Sequence, residues 1–339
     1  MGQFLEVCSQ FLMLTCKINR MKAIIINKFG NTDVFEISDI SEPKIDSGDV
    51  LIKVIAGSVN PIDWKQRKGN HRFILGAPFP IVLGYDVAGI VVKTGADVKK
   101  FAVGDKVCGV LNNKYGGGLG EFAKGAEKCF AKVPDNINLS KSAAVPLAGL
   151  TALQALRDLV RTRRGNKILI IGAASGVGHF AVQIAAIYGA EIFVVSSNRH
   201  KDFLKSLADV NFIDYRARDI LNLNLHFNII FDVVGKYSYP KCKHLLYTCG
   251  TYITTLPRPK ILVHKVISWF ARGKKVKTLL MKHNSADLQQ ILEWIDAGKI
   301  KIGIDKEFFI NDIGKAHEYS EAGHTEGKIL IHYEKIVRS

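Results

Sequence analysis

The sequence predicts an α/β protein of two domains, one β-rich and the other a doubly wound parallel sheet. Three features lead there. The apolar run Lys167-Ile-Leu-Ile-Ile enters a glycine-spaced turn, Gly172-Ala-Ala-Ser-Gly-Val-Gly178, and continues as a helical stretch over 179–188. Beyond that turn strand-like and helix-like segments alternate, the rhythm of parallel strands joined by crossover helices. Ahead of it, from Met21 to about Pro134, short β-branched or apolar runs are broken by Gly, Pro and Asp, which suits a compact β-rich unit with barrel-like closure. A chain of 339 residues also exceeds what one ordinary core organises.

In order, strands are expected over 23–26, 50–56, 87–92, 106–110 and 121–123, followed by helical periodicity over 139–159. The alternating part runs 167–172, 177–189, 191–196, 200–207, 211–214, 228–233, 238–247 and 250–255. An amphipathic helix over 286–297 and a closing strand over 327–333 then return the chain to the first domain. The expected units are therefore 21–145 completed by 285–339, and 146–284 between them, with the site in the cleft. Residues 1–20 read as an extension or a mis-set start. A signal peptide is the competing reading, but no basic segment precedes Phe11-Leu-Met-Leu and no small-residue cleavage site is evident.

Six scattered cysteines (Cys8, Cys16, Cys108, Cys129, Cys242, Cys249) without a C-x-x-C spacing point to reduced thiols in a cytoplasmic protein. The run 168–190 lacks Asp, Glu, Lys and Arg and could span a bilayer by length, yet its glycines, Ser175, His179 and Gln183 fit a strand, a turn and a buried helix better. The formal net charge is +16, and between 250 and 284 eight Lys or Arg occur with no acid: Arg258, Lys260, Lys265, Arg272, Lys274, Lys275, Lys277 and Lys282. Such a face suits an anionic cofactor; nucleic acid or a membrane surface is the alternative partner, the latter favoured by the mixed apolar and basic segment 261–270. No nucleic-acid motif accompanies the charge.

The turn has the chemistry of a diphosphate cradle. Gly172 permits the tight turn, Gly176 lets backbone approach the anion, and Gly178 lets helix and strand pack closely, while the helix start directs its N–H groups outward. Ser175, Gly176 and Val177 are thus candidate cofactor contacts. A dinucleotide site that prefers a ribose 2′-OH places an acid about 20 residues later. Here the second strand runs into Ser196-Ser-Asn-Arg-His-Lys201, with hydroxyls and cations and no acid, which favours a 2′-phosphate and hence NADPH.

Five stretches in order, Ser58-Val-Asn-Pro-Ile-Asp-Trp-Lys65, Leu83-Gly-Tyr-Asp-Val-Ala-Gly89, Ala143-Ala-Val-Pro-Leu-Ala-Gly-Leu-Thr-Ala152, the glycine turn, and Gly323-His-Thr-Glu-Gly-Lys-Ile-Leu330, resemble the medium-chain dehydrogenase/reductase superfamily in its zinc-independent quinone oxidoreductase branch. The resemblance covers most of 21–335 and implies a GroES-like β-rich domain beside a Rossmann domain. Where zinc-dependent relatives hold their catalytic metal with a Cys and a Gly-His-Glu, this chain has Asn60 and Gly84-Tyr85-Asp86, a set that does not suit a tetrahedral zinc site. The four-cysteine structural zinc loop is missing too, so no metal is expected. Asp86 reads as a buried carboxylate bonded to backbone in a turn. By the same resemblance Ser197, Lys201 and Tyr215 match 2′-phosphate contacts, with Arg199 an addition. The loop before Tyr215, Ser206-Leu-Ala-Asp209, lacks the family glycine and is one residue shorter. Thr151, Val234, Gly235, Thr255 and Leu256 match contacts at the nicotinamide end.

Without a Lewis acid the chemistry implied is hydride transfer to a quinone or to the β-carbon of an α,β-unsaturated carbonyl, with negative charge collecting on oxygen. Lys65, Tyr85 and the Asn60 amide are the candidate donors: Lys65 for the nicotinamide ribose or the developing anion, Tyr85 for the proton. Two alternatives stay open. One is an NADPH-binding protein of little turnover that attaches to RNA or a membrane surface; the other is an enoyl-thioester reductase. The chain is expected as a monomer or homodimer.

Overall fold

The computed structural model describes residues 20–256, 261, 263–266 and 273–333. The extension thus lies outside the described residues except for Arg20, as do Arg258, Lys260, Arg272 and half of the segment 261–270.

The first part of the chain forms β1 (Arg20–Ile26), β2 (Phe35–Ser41), β3 (Asp49–Val59), β4 (Ile81–Val82), β5 (Asp86–Thr94), β6 (Lys106–Val110), β7 (Phe122–Ala126) and β8 (Phe130–Lys132), with helix α1 (Pro61–Arg67) after β3. Pro61 fits the first helical position, where its missing N–H costs nothing. The helical run expected over 139–159 is broken: a single turn at Leu139–Ser142 is followed by α2 (Pro146–Gln154), because Pro146 can only start a new helix.

The second part supplies β9 (Lys167–Ile171), α3 (Gly176–Ile187), β10 (Glu191–Ser196), α4 (Lys201–Leu207), β11 (Asn211–Asp214), β12 (Phe227–Asp232), β13 (Leu246–Thr254) and β14 (Lys275–Thr278). These strands pair in the order β11-β10-β9-β12-β13-β14, all parallel. Central β9 is buried on both faces from Ile168 to Ile171, which is why its sequence is a continuous apolar run instead of an alternating one. The 168–190 stretch divides into β9, the glycine turn and α3, and no helix among the described residues is long and apolar enough to cross a membrane. The helix expected over 238–247 is one turn, Tyr239–Cys242, since β13 already begins at Leu246.

The chain ends through α5 (Ser285–Asp296), β15 (Ile304–Phe309), α6 (Ile313–Glu321) and β16 (Lys328–His332). β16 lies antiparallel to β3 with Ile329 opposite Val59, and β5 lies on the other side of β3 with Asp86 opposite Ser58. This register brings the ends of three strands together at Lys328, Asn60 and Asp86. A single hydrophobic core runs from Ala88 and Val110 through Ala148 and Ala152 to Ile170 and Phe231, and Leu288, Ile291 and Leu292 of α5 join it. Gly149 admits Ile291: a methyl group there would approach the Ile291 side chain to 3.2 Å.

Candidate active site

β10 and β12 flank β9 on opposite sides, so the crevice outside the carboxyl ends of these strands is where this topology accepts a ligand. The turn there is built for close approach. Gly172 has φ +79°, and a Cβ on Gly178 would stand 2.2 Å from the Gly172 carbonyl oxygen. Ser175 caps α3, its Oγ accepting the Gly178 N–H at 3.2 Å, and the His179 N–H goes to the Ser175 carbonyl. Among the described residues the N–H groups of Gly176 and Val177 have no protein acceptor, which leaves them, at the positive helix end, for an anion. A dinucleotide diphosphate fits this cradle.

At the end of β10, Ser197 is buried while Arg199 and Lys201 are exposed. The Tyr215 N–H donates to the Ser196 carbonyl at 3.3 Å, which sets Tyr215 beside this strand end despite the shortened loop. Its ring is flanked by Lys236, with Nζ 5.6 Å from the centroid, and by Arg216 at 6.0 Å. Neither cation was anticipated from the sequence; both follow strand ends in a basic chain, too common a pattern to single out. Arg199 turns toward the closing loop, donating from Nε to His200 Nε2 at 2.8 Å and from Nη2 to the His324 carbonyl, while His200 Nδ1 meets Glu326 at 2.6 Å.

Four of the five residues expected at the nicotinamide end, Val234, Gly235, Thr255 and Leu256, come together at one corner. Val234 packs against the turn, where a Cβ on Gly172 would meet its Cγ1 at 2.6 Å. Gly235 has φ +63° with Leu256 lying over it, and Thr255 donates its hydroxyl to the Val233 carbonyl at 2.7 Å. Buried Asp232 holds this corner by accepting the N–H groups of Lys236 and Tyr237 and the Tyr252 hydroxyl; burial nevertheless raises its pKa. Thr151 on α2 uses its hydroxyl on the Leu147 carbonyl at 2.6 Å.

On the first-domain side, Asp86 is 2% exposed and fully engaged. Its Oδ1 accepts the Leu147 N–H at 2.8 Å, and its Oδ2 accepts from Ser58 Oγ at 2.8 Å, Asn60 Nδ2 at 2.8 Å and Lys328 Nζ at 3.1 Å. The backbone bond expected of Asp86 is present, but three side chains share the carboxylate with it. Lys328, 3% exposed, also donates to Asn60 Oδ1 at 2.6 Å. Removing either charge alone would strand the other in the interior at a cost of about 3–5 kcal/mol.

The three expected donors are placed differently. The Asn60 amide is buried, its Nδ2 given to Asp86 and its Oδ1 taken by Lys328, so it faces the protein and not a substrate. Tyr85 donates its hydroxyl to the Lys114 carbonyl at 2.6 Å and accepts Gln66 Nε2 at 2.7 Å; burial raises its pKa to about 12. That proton is committed within the protein. Lys65 is half-buried on α1, its Nζ 5.2 Å from the centre of the Trp64 ring. Sequence reasoning missed Lys328, although a lysine opening an otherwise apolar strand, Lys328-Ile-Leu-Ile, was the available signal. Behind α1, Asp63 and His317 line a small internal cavity with Ser58, Asp86 and Tyr333. Burial lifts Asp63 to about 7 and drives His317 down to about 3, where its ring stacks edge-on against Phe35. Among the described residues no group of three or more His, Cys, Asp or Glu is arranged to hold a metal ion.

The chain matches the family described as alcohol dehydrogenase GroES-like domain over 46–135 and that described as zinc-binding dehydrogenase over 208–331. It is 33% identical over 322 residues to a chloroplast envelope quinone oxidoreductase homolog of Arabidopsis thaliana, covering 92% of this chain and 98% of the relative. It is 30% identical to the NADPH-dependent alkenal/one oxidoreductase, chloroplastic, of the same plant, covering 92% and 79%. The solved quinone oxidoreductase of Coxiella burnetii superposes with a TM-score of 0.86 at 30% identity, over 93% of this chain and all of that one. With its GroES-like sheet, its parallel nucleotide-binding sheet and these relatives, the chain belongs to the medium-chain dehydrogenase/reductase superfamily, in the quinone oxidoreductase branch, and is an oxidoreductase.

Proposed function

We propose that this oxidoreductase moves a hydride from NADPH to quinones or α,β-unsaturated carbonyls. The observation that carries the reading is the segment 196–201 at the end of β10, which has no acid of its own and lies beside Tyr215, with Arg216 and Lys236 against that ring; of the neighbouring carboxylates, Asp214 accepts the Arg216 N–H and Glu326 meets His200. A carboxylate there would repel a 2′-phosphate; hydroxyls and cations attract one. The nicotinamide ring, when bound, supplies the hydride. Gly176 and Val177 offer backbone N–H groups to the diphosphate, and Val234, Gly235, Thr255 and Leu256 shape the far end of the crevice, to which Thr151 is assigned by the family resemblance.

The relatives named as quinone and alkenal/one oxidoreductases support the choice of acceptor. Such acceptors gather negative charge on oxygen, and Lys65 is the cation assigned to it, since an ammonium gives charge together with hydrogen bonds. With Asn60 and Tyr85 committed internally, the product proton comes from water. The test is an NADPH-oxidation panel of quinones, enones and enoyl thioesters. Turnover confined to thioesters would replace the acceptor class, and NADPH binding with no turnover on any member would favour a binding protein. Equal use of NADH and NADPH would defeat the 2′-phosphate reading.

A further inference from the structure

The five-residue closing stretch 324–328 touches both halves of the crevice. The Gly327 N–H donates to the Ala174 carbonyl, inside the glycine turn, at 2.7 Å. Next to it the Lys328 stem lies along the turn, close enough that a Cβ on Gly176 would stand 3.0 Å from Lys328 Cδ. The ammonium at the end of that stem then reaches Asn60 Oδ1 and Asp86 Oδ2. Both acceptors are rigid: Asn60 opens α1 and its backbone N–H is held by Asp63 at 2.7 Å, while Asp86 opens β5 and is tied to α2 through the Leu147 N–H. His179 completes the contact, with Nδ1 on the Ser175 carbonyl at 3.2 Å and Nε2 accepting the Gly303 N–H at 3.3 Å. Gly303 in turn accepts the Lys328 N–H at 2.9 Å.

We propose that Lys328 is a positioning residue for hydride transfer: its buried side chain fixes the spacing between the glycine turn, which seats the cofactor, and the Asn60–Asp86 corner of the domain that seats the acceptor. The proposal rests on the dinucleotide and acceptor reading given above. Hydride transfer is sensitive to the approach of donor and acceptor, so a lysine that never touches either reactant controls the rate through that distance. A cation is suited to this place because one ammonium satisfies an amide oxygen and a carboxylate oxygen together while its aliphatic stem packs against a glycine. The same pair of acceptors stands at the two motif positions where zinc-dependent relatives keep metal-site residues. In this chain an ammonium links them.

Two measurements test it. The first needs no acceptor: in the free protein, Asn60→Ala is expected to speed amide hydrogen exchange at 174–178 at least fivefold, because the link to the turn runs through Lys328. Exchange at 174–178 unchanged by that variant overturns the coupling, whatever the substrate proves to be. The second uses the double variant Lys328→Met with Asp86→Asn, which removes both members of the buried ion pair together. It is expected to bind NADPH within threefold of the parent, while the single-turnover rate of NADPH oxidation, per NADPH-binding site, falls at least tenfold. Lys328→Arg, which keeps both acceptors bonded, is expected to recover part of that loss. A double variant that oxidises NADPH at the parental rate reduces Lys328 to a structural residue and overturns the proposal. A parent protein that binds NADPH yet turns over no acceptor refutes the functional reading instead, and the exchange measurement then still decides the coupling.

Discussion

The Asp63 carboxylate accepts the backbone N–H of Asn60 at 2.7 Å, yet its other oxygen has no protein partner in the interior. Burial is the largest influence on this group, followed by the Asn60 bond; the Asp86 charge opposes ionisation and the Lys328 charge assists it, and the carboxyl ends at about 7. A carboxyl whose pKa is raised by folding contributes stability that is complete below its unfolded value near 3.8 and is lost as pH rises through about 7. Asp63→Asn, which keeps an oxygen for the Asn60 N–H, is therefore expected to gain stability relative to the parent as pH goes from 5 to 8, by about 1.4 kcal/mol for each pH unit between 5 and the folded pKa. Urea denaturation of both proteins at the two pH values measures the difference. A constant gap between them would show that Asp63 does not titrate in this window.

The crowding at Gly178 makes a second expectation. A methyl group there would stand 2.2 Å from the Gly172 oxygen and 2.6 Å from that of Ala173, both backbone and both fixed by β9. Gly178→Ala should cost about 1–3 kcal/mol of stability and weaken NADPH at least tenfold, through displacement of the helix start. Calorimetry and fluorescence titration report the two effects, and wild-type affinity in the folded variant would mean that the turn does not hold the diphosphate.

Lys201 opens α4 in the open, next to the end of β10. Replacing it by Ala removes one charge-assisted contact, worth about 1.5–3 kcal/mol, so NADPH affinity should fall roughly 10- to 100-fold while NADH changes less than twofold. Equal losses for the two coenzymes would place Lys201 away from the 2′-phosphate.

Lys65 is half-buried beside Trp64, and its removal leaves the Asn60–Asp86–Lys328 cluster intact. Lys65→Ala is expected to lower kcat 10- to 100-fold with the thermal midpoint unchanged within 2 °C, the range for loss of one donor to a developing anion. Steady-state kinetics at saturating NADPH decide it: an unaltered kcat takes Lys65 off the reaction path.

The fold was legible wherever local pattern and physics coincide. The turn 172–178 announced its strand and helix because Gly172 and Gly178 meet constraints within seven residues, and the buried run of β9 identified a parallel sheet. The places of Ser197 and Lys201, just past the end of β10, were legible for the same reason, while the 2′-phosphate role given to them belongs to the proposal. What stayed hidden depends on register across the chain. Lys328 and Asn60 are 268 positions apart, and only the antiparallel pairing of β16 with β3 makes them neighbours. The Asn60 side chain looked available because nothing nearby in sequence claims it; Asp86 and Lys328 claim it from distant strands. Arg199 is likewise drawn to His324 by a loop that local pattern gave no reason to place there.

The core that passes from Ala88 through Ala148 to Ile170, with Ile291 seated on Gly149, welds the two lobes along their back. Hinging them apart would strip apolar side chains into water at about 25 cal/mol for each square ångström exposed. Any opening of the crevice at that back seam therefore carries an apolar cost, and motion is cheapest at the loops of the rim.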